Sequence, residues 1–187
     1  MTADLTARPT GLATALRNLY YVRFGFAAAW AGLLATTGAE LGPLAVTLLV
    51  VYPLFDVAAA VVDFRSSRED RPAAGLYANM ALSLLAAAGL AAAATAGLPA
   101  VLRVWGAWAI TAGIVQLAVA IGRRRLGGQW PQILSGGLST VAGTAFILQA
   151  GTDAASLTSL AGYAAVGGVF FLVSALRLHR AARSART

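Results

Sequence analysis

Residues 41–62 read LGPLAVTLLVVYPLFDVAAAVV, a largely apolar run that holds a single charged residue, Asp56. A helix needs about 20 mostly apolar residues to cross the hydrocarbon layer of a bilayer, and this run has that length. Since lipid offers no partners to the backbone, such a run is expected to be helical. Five further runs share this character, so the sequence predicts six spans. They cover residues 20–37, 41–62, 75–98, 101–121, 131–149 and 157–178.

The composition of the whole chain agrees with an integral membrane protein. Hydrophobic residues make up 59% of the 187 residues and charged residues only 11%, whereas soluble domains carry about 25% charged residues. This balance excludes an ordinary soluble domain and a disordered chain. The chain has no cysteine and one histidine, His179, which excludes disulfides and thiolate metal sites and leaves no histidine cluster for a metal. No cofactor is predicted.

The basic residues predict how the spans are oriented. All 14 are arginines, and six spans place all but one of them on the same side as the two chain termini. The exception is Arg103, which shares the other side with Glu40 and Asp153. Basic loops stay in the cytoplasm, so both termini are expected there, in a bacterial inner membrane. The expected partners of these arginines are anionic lipid head groups, at about 1 kcal/mol each, and not nucleic acid.

The predicted architecture is a single membrane domain over residues 1–187. Residues 1–19 form a cytoplasmic segment, residues 20–178 an all-α six-helix bundle, and residues 179–187 a basic cytoplasmic tail.

A repeat of three helical hairpins is suggested by the even-numbered spans, in which an aromatic residue recurs at offsets of 56 and 55 residues. The odd-numbered spans align at Gly32, Gly89 and Gly143. All three hairpins then share one orientation, as in parallel repeats related by an axis along the membrane normal. The aligned even segments are Tyr52-Pro-Leu-Phe-Asp-Val, Trp108-Ala-Ile-Thr-Ala-Gly and Tyr163-Ala-Ala-Val-Gly-Gly.

Small residues spaced by four along the spans predict close helix contacts. They favour packing within one chain, with a homo-oligomer as the alternative. Aromatic residues near span ends are typical of interfacial anchors. The small residues include Ser135, Ser139 and Gly143, and Gly136, Thr140 and Thr144; the aromatic residues are Trp105, Trp108, Trp130, Tyr20, Tyr21 and Tyr77.

The fifth span and the hairpin pattern together resemble a known family. The stretch from Trp130 to Gly143 reads WPQILSGGLSTVAG, with a tryptophan, a central Gly-Gly-Leu and a closing glycine. Over residues 19–179 the chain is similar to the HdeD family of small bacterial multi-pass membrane proteins, a repeat domain of largely unknown function. The resemblance implies a role in acid or stress tolerance and carries over no catalytic residue. Where helices of that family often read Asp-Gly, this chain has Asp56-Val57.

The polar residues inside the spans form a candidate intramembrane site, since such groups are costly in lipid. Asp56 lies about 10 Å and Arg23 about 5 Å inside the predicted cytoplasmic boundary, on antiparallel neighbouring spans, so an ion pair is geometrically feasible. Three interpretations stay open for Asp56: a structural pair, a proton- or ion-binding site, and exposure to a water-filled crevice. Other candidates are Asp63, on the same helix face as Asp56, together with Gln116, Asn79 and Ser83.

The sequence predicts a protein that is not an enzyme. It has no histidine–carboxylate pair in the spans, no nucleophile elbow and no phosphate loop, and a lipid enzyme would depend on Asp56 and Asp63 alone. The leading hypothesis is an HdeD-like membrane protein acting in acid or stress tolerance. The alternative is a small transporter or channel for protons or a small solute, working through Asp56.

Overall fold

The computed structural model describes residues 7–37, 40–66, 73–122 and 130–184. Within these ranges the chain is all-helical. The six helices are α1 (Ala7–Thr36), α2 (Pro43–Ser66), α3 (Ala73–Ala94), α4 (Leu98–Gly122), α5 (Trp130–Gln149) and α6 (Leu157–Ser184).

Five helices, α2 to α6, are long and apolar enough to cross a membrane. They indicate a multi-pass membrane protein. The first helix is not among the five, because Tyr20, Tyr21 and Arg23 lower the hydropathy of its apolar stretch.

Helix boundaries differ from the predicted spans at several ends, including α2, which continues to Ser66, and α4, which begins at Leu98. α1 begins at Ala7 and so takes in most of the segment predicted to precede the first span, and α6 continues past residue 178 to Ser184. The prediction that the third span continues to residue 98 is wrong, because α3 ends at Ala94. Gly97 has a φ of 94°, a left-handed conformation that ends helices and suits glycine. α4 then begins with Pro99 in its first turn, where its missing N–H costs nothing.

The six helices form a closed ring. Each packs against its neighbours in the chain, and α6 returns to pack along α1. The closest pairs are α4 with α5, α1 with α6, and α2 with α3, while α5 and α6 make the least extensive contact of the six. We call the end of the ring at which α1 begins and α6 ends the terminal end, and the opposite end, with Glu40, Arg103 and Asp153, the far end.

Glycines set the register of α4 against α5. A Cβ atom on Gly113 would lie 2.7 Å from the carbonyl oxygen of Gly136, and one on Gly106 would lie 2.6 Å from that of Gly143. The two antiparallel helices therefore touch backbone to backbone at two points, as small residues allow in lipid. The aligned glycines of the odd spans differ in burial. Gly143 is buried in this contact, whereas Gly32 is exposed.

The far half of the ring is filled by an apolar core. Trp105 is fully buried and stacks on Trp30, with ring centroids 5.4 Å apart. Trp30 also donates its indole N–H to the carbonyl oxygen of Leu48 at 2.6 Å. This contact attaches α1 to α2 one turn before Pro53, which lacks an N–H for the helix ladder. The prediction that Trp105 is an interfacial anchor is wrong, because its ring lies inside this core.

Candidate functional site: a polar cavity inside the helix ring

A cavity of about 580 Å³ lies inside the terminal half of the ring. All six helices line it, and its lining runs from the helix ends at the terminal end to an aromatic floor near the middle of the ring. The floor is formed by the three aromatic residues that recur in the even helices, Tyr52, Trp108 and Tyr163. Beyond it the far half is packed core. Within the part of the chain described here, the cavity is therefore a crevice closed at one end.

Arg23 and Asp56 form an ion pair on the wall of this cavity. Nη2 of Arg23 on α1 donates to Oδ1 of Asp56 on α2. The side chains are 17% and 22% exposed, so the pair is largely but not fully withdrawn from solvent. Because α2 ends at Ser66, Asp56 lies about 15 Å inside the helix end, deeper than the predicted span boundary implied.

The second carboxylate oxygen of Asp56 is held by α3. Asn79 donates its side-chain amide to Oδ2 at 2.7 Å, and Ser83 donates its hydroxyl to the same atom at 2.9 Å. Three donors thus fill three of the about four acceptor positions of the carboxylate. Trp108 donates its indole N–H to Ser83 at 3.3 Å, which extends the network to α4. Asp56 therefore links four helices through fixed side chains.

Arg23 keeps hydrogen-bonding capacity that no described residue uses. A guanidinium group carries five N–H donors, and among the described residues one nitrogen of Arg23 is engaged, with Asp56. The flat guanidinium also lies over the ring of Phe171 on α6, 4.7 Å from its centroid. This cation–π contact fixes the plane of the group while its remaining N–H groups border the cavity.

The two tyrosines of the floor differ in how their hydroxyl groups are bonded. Tyr163 donates to Ser139 on α5 at 2.8 Å. Tyr52, one helical turn before Asp56, makes no hydrogen bond through its hydroxyl with any residue of the described ranges. Tyr52 and Arg23 therefore supply the cavity with hydrogen-bond donors, whereas three of the about four acceptor positions of Asp56 are already filled.

The remaining predicted site residues all border the cavity but do not join one cluster. Asn79 is a direct partner of Asp56, as described above. Gln116 donates to the backbone carbonyl of Gln132 on α5 at 3.2 Å. Asp63 lies near the terminal end of the cavity, about two turns from Asp56.

Several lining residues were not identified as site residues from the sequence. The prediction that Trp108 is an interfacial anchor is wrong, because its indole borders the cavity and donates to Ser83. Ser139 was placed in a small-residue packing stripe, yet it lines the cavity with Ser135, while Gly136 and Gly143 make the contact to α4. The recurrence of aromatic residues at offsets of 56 and 55 was the signal that could have located Tyr52, Trp108 and Tyr163 together.

No family model, curated protein or solved structure matches this chain.

Proposed function

We propose that this chain is a multi-pass membrane protein that acts as a small transporter and binds a small solute in its central cavity. The observation that carries the proposal is the cavity of about 580 Å³, closed at the far end and bordered by a rigid polar cluster. Binding pockets for small molecules have volumes of about 300–1,000 Å³ and combine apolar walls with a few fixed polar groups. The network around Asp56 supplies such groups.

The proposed setting is the bacterial inner membrane, with both termini and the mouth of the cavity in the cytoplasm. It is supported by the distribution of arginines, which favours a cytoplasmic terminal end. The first helix is proposed to be the sixth span. It packs along α6 and α2, and its one charged residue in the apolar stretch, Arg23, faces Asp56 and the cavity. Charged groups inside membranes usually face the protein interior in this way.

A threefold repeat of hairpins is part of the proposal. Two sets of residues at equivalent repeat positions all line the cavity, although the charged member occurs once. They are Tyr52, Trp108 and Tyr163, and Asp56, Ala112 and Gly167.

Binding is favoured over catalysis by the state of Asp56. Both of its oxygens accept hydrogen bonds from Arg23, Asn79 and Ser83. A general acid or base needs an oxygen within reach of the reacting proton, and these contacts commit the carboxylate to the protein instead. Because three of its about four acceptor positions are filled, the same contacts argue against Asp56 as a proton carrier in this conformation.

A second candidate is the HdeD-like role in acid or stress tolerance, without a ligand. It is favoured by the same pair, because a satisfied ion pair linking α1 and α2 fits a structural role that fixes helix register. Deletion of the gene is then expected to lower survival after an acid challenge, and a variant with a filled cavity is expected to restore it fully. Unchanged survival of the deletion strain would remove the support for this candidate.

The binding proposal is tested by filling the cavity. Gly167 lines it, and a Cβ there meets no atom within 4 Å, so the side chain of Gly167→Leu starts in open space and adds volume to the cavity. The control is Gly162→Leu on the same helix, which also meets open space but lies outside the lining. Purified variants are heated in detergent with a library of small anions, cations and neutral solutes. We expect some compounds to raise the Tm of the wild type and Gly162→Leu and to lose this effect in Gly167→Leu. If every stabilising compound acts equally on Gly167→Leu, the proposal is wrong.

A further inference from the structure

The contacts of α5 with α6 in the described ranges stop at the cavity floor, which leaves a gap between the two helices in the terminal half of the ring. These helices make the least extensive contact of any neighbouring pair. Their ring and hydrogen-bond contacts in the described ranges are Gln149 with Ser159, Phe146 with Tyr163, and Ser139 with Tyr163. All lie from the cavity floor towards the far end.

The walls of this opening belong to both the cavity and the outer surface. Leu138 on α5 lines the cavity and is also 39% exposed. Across the gap, Gly167 and Phe170 of α6 line the cavity. If the helices span the bilayer, an opening between two of them leads to the acyl chains of the lipid. A ligand entering here is expected to carry an apolar chain.

Among the described residues, the charged groups of the lining belong to two neighbouring helices. Arg23, Asp56 and Asp63 belong to α1 and α2, whereas the lining residues of α5 and α6 are uncharged. They combine apolar side chains with hydroxyl groups and the amide of Gln132, and Phe171 of α6 contacts the guanidinium of Arg23. This separation matches an amphiphile with its head towards α1 and α2 and its chain towards the opening. Because Asp56 is occupied by three donors, the unused groups at the head position are the N–H groups of Arg23 and the hydroxyl of Tyr52. Such donors bind an anionic acceptor, and guanidinium groups suit carboxylates.

We infer that the ligand is a single-chain amphiphile with a carboxylate head, a fatty acid, which reaches the cavity from the membrane between α5 and α6. This inference rests on the proposed function, since it assigns a ligand class to the same cavity. Because Asn79 and Ser83 donate hydrogen bonds to Asp56, Arg23 does not have to satisfy this carboxylate alone. The remaining N–H groups of Arg23 are then able to bind a second carboxylate.

Binding of radiolabelled palmitate to the purified protein in detergent tests the head-group assignment. The Asp56→Asn variant removes the carboxylate that competes for Arg23, so we expect it to bind palmitate several-fold more tightly. The double variant Arg23→Gln with Asp56→Asn stays neutral at this site and is expected to lose at least tenfold in affinity. Arg103→Gln, an exposed arginine at the far end, is the matched control and is expected to bind like the wild type. Weaker binding by Asp56→Asn, or unchanged binding by the double variant, would overturn the assignment.

The route is tested with cysteines, which the natural chain lacks. In a Leu138→Cys, Phe170→Cys variant, a bifunctional maleimide bridges α5 and α6. The bridge is expected to slow palmitate association at least tenfold, relative to the same variant blocked with a monofunctional maleimide. Equal rates would contradict lateral entry.

The short-chain acid hexanoate separates this inference from the proposed function. The fatty-acid assignment fails and the binding function stands if a water-soluble solute stabilises Gly162→Leu but not Gly167→Leu while palmitate does not bind. The assignment fails in the same way if hexanoate binds as tightly as palmitate. If no compound distinguishes these two variants, both fail.

Discussion

Arg23 and Asp56 lie 33 residues apart in the chain and meet on the wall of the central cavity, where the guanidinium donates to one carboxylate oxygen while α3 supplies two donors to the other. The pair joins α1 to α2 where both side chains are largely withdrawn from solvent, so that a lone charge would be costly. The pair therefore holds α1 against α2 and leaves the remaining N–H groups of Arg23 facing the cavity.

Removing one member of this pair is expected to destabilise the protein more than removing both charges. The Arg23→Gln substitution leaves the charge of Asp56 without its cation and is expected to cost about 2 kcal/mol, because an unpaired, partly buried charge keeps its desolvation penalty. The double variant Arg23→Gln with Asp56→Asn is expected to recover most of this loss. Unfolding in mixed micelles with increasing SDS measures both. A double variant less stable than Arg23→Gln would show that the pair does not act as a unit.

The glycine contacts between α4 and α5 predict a sharp difference between neighbouring glycines. A Cβ on Gly143 would lie 2.5 Å from the carbonyl oxygen of Gly106 and 2.9 Å from the backbone nitrogen of Ile110, so Gly143→Ala forces the helices apart. Overpacking of this kind costs about 1–3 kcal/mol. Gly137 meets no atom within 4 Å, and Gly137→Ala is expected to leave stability unchanged or to raise it slightly. Equal thermal stability of the two variants would contradict the helix register.

The two buried tryptophans are expected to differ in how much stability is lost when the indole N–H is removed. Trp30→Phe removes the hydrogen bond to Leu48 beside Pro53 and is expected to cost about 1 kcal/mol beyond the change in ring size. Trp105→Phe removes an N–H that has no hydrogen-bond partner in the described ranges, so it is expected to cost less. The comparison requires only the Tm of the two variants in the same detergent. A larger loss for Trp105→Phe would mean that its indole has a partner.

The proposed topology predicts which introduced cysteines react from which side. Ala181→Cys, near the end of α6, is expected to be labelled by an impermeant maleimide only in inverted membrane vesicles. Ala154→Cys, in the connection between α5 and α6, is expected to be labelled only in right-side-out vesicles. Both positions are exposed, and the cysteine-free chain adds no background. Labelling of both from the same side would contradict an odd number of crossings between them.

Part of this structure was predictable from the sequence because it depends on one-dimensional properties. The length of each apolar run located the helices, and counting residues inward from the ends of two adjacent runs brought Arg23 near Asp56. The closure of the ring through α1 and α6 was not predictable in this way, because the sequences of apolar helices of similar composition do not specify which helices pack together.

The rest of the site depends on how each helix is rotated about its own axis, because the rotation determines which side chains face the core and the cavity. Trp105 and Trp108 lie three residues apart near one end of a span, a position equally typical of an interfacial anchor. Contact of Gly106 and Gly113 with α5 turns these rings inward, to the core and the cavity. That contact depends on two helices together, so neither span alone indicated it.

The most direct test of the central claim is whether water-soluble molecules reach the cavity floor from the terminal end. Ser139→Cys places a thiol at that floor, and Val141→Cys, on the exposed outer surface of the same helix, is the lipid-facing control. With an impermeant methanethiosulfonate reagent, we expect Ser139→Cys to react in inverted vesicles, to react at least tenfold more slowly when Gly167→Leu is added, and to stay unreactive in right-side-out vesicles. If the thiol at position 139 reacts no faster than the one at position 141, or if Gly167→Leu does not change its reaction rate, no solute-accessible cavity exists at the centre of the ring.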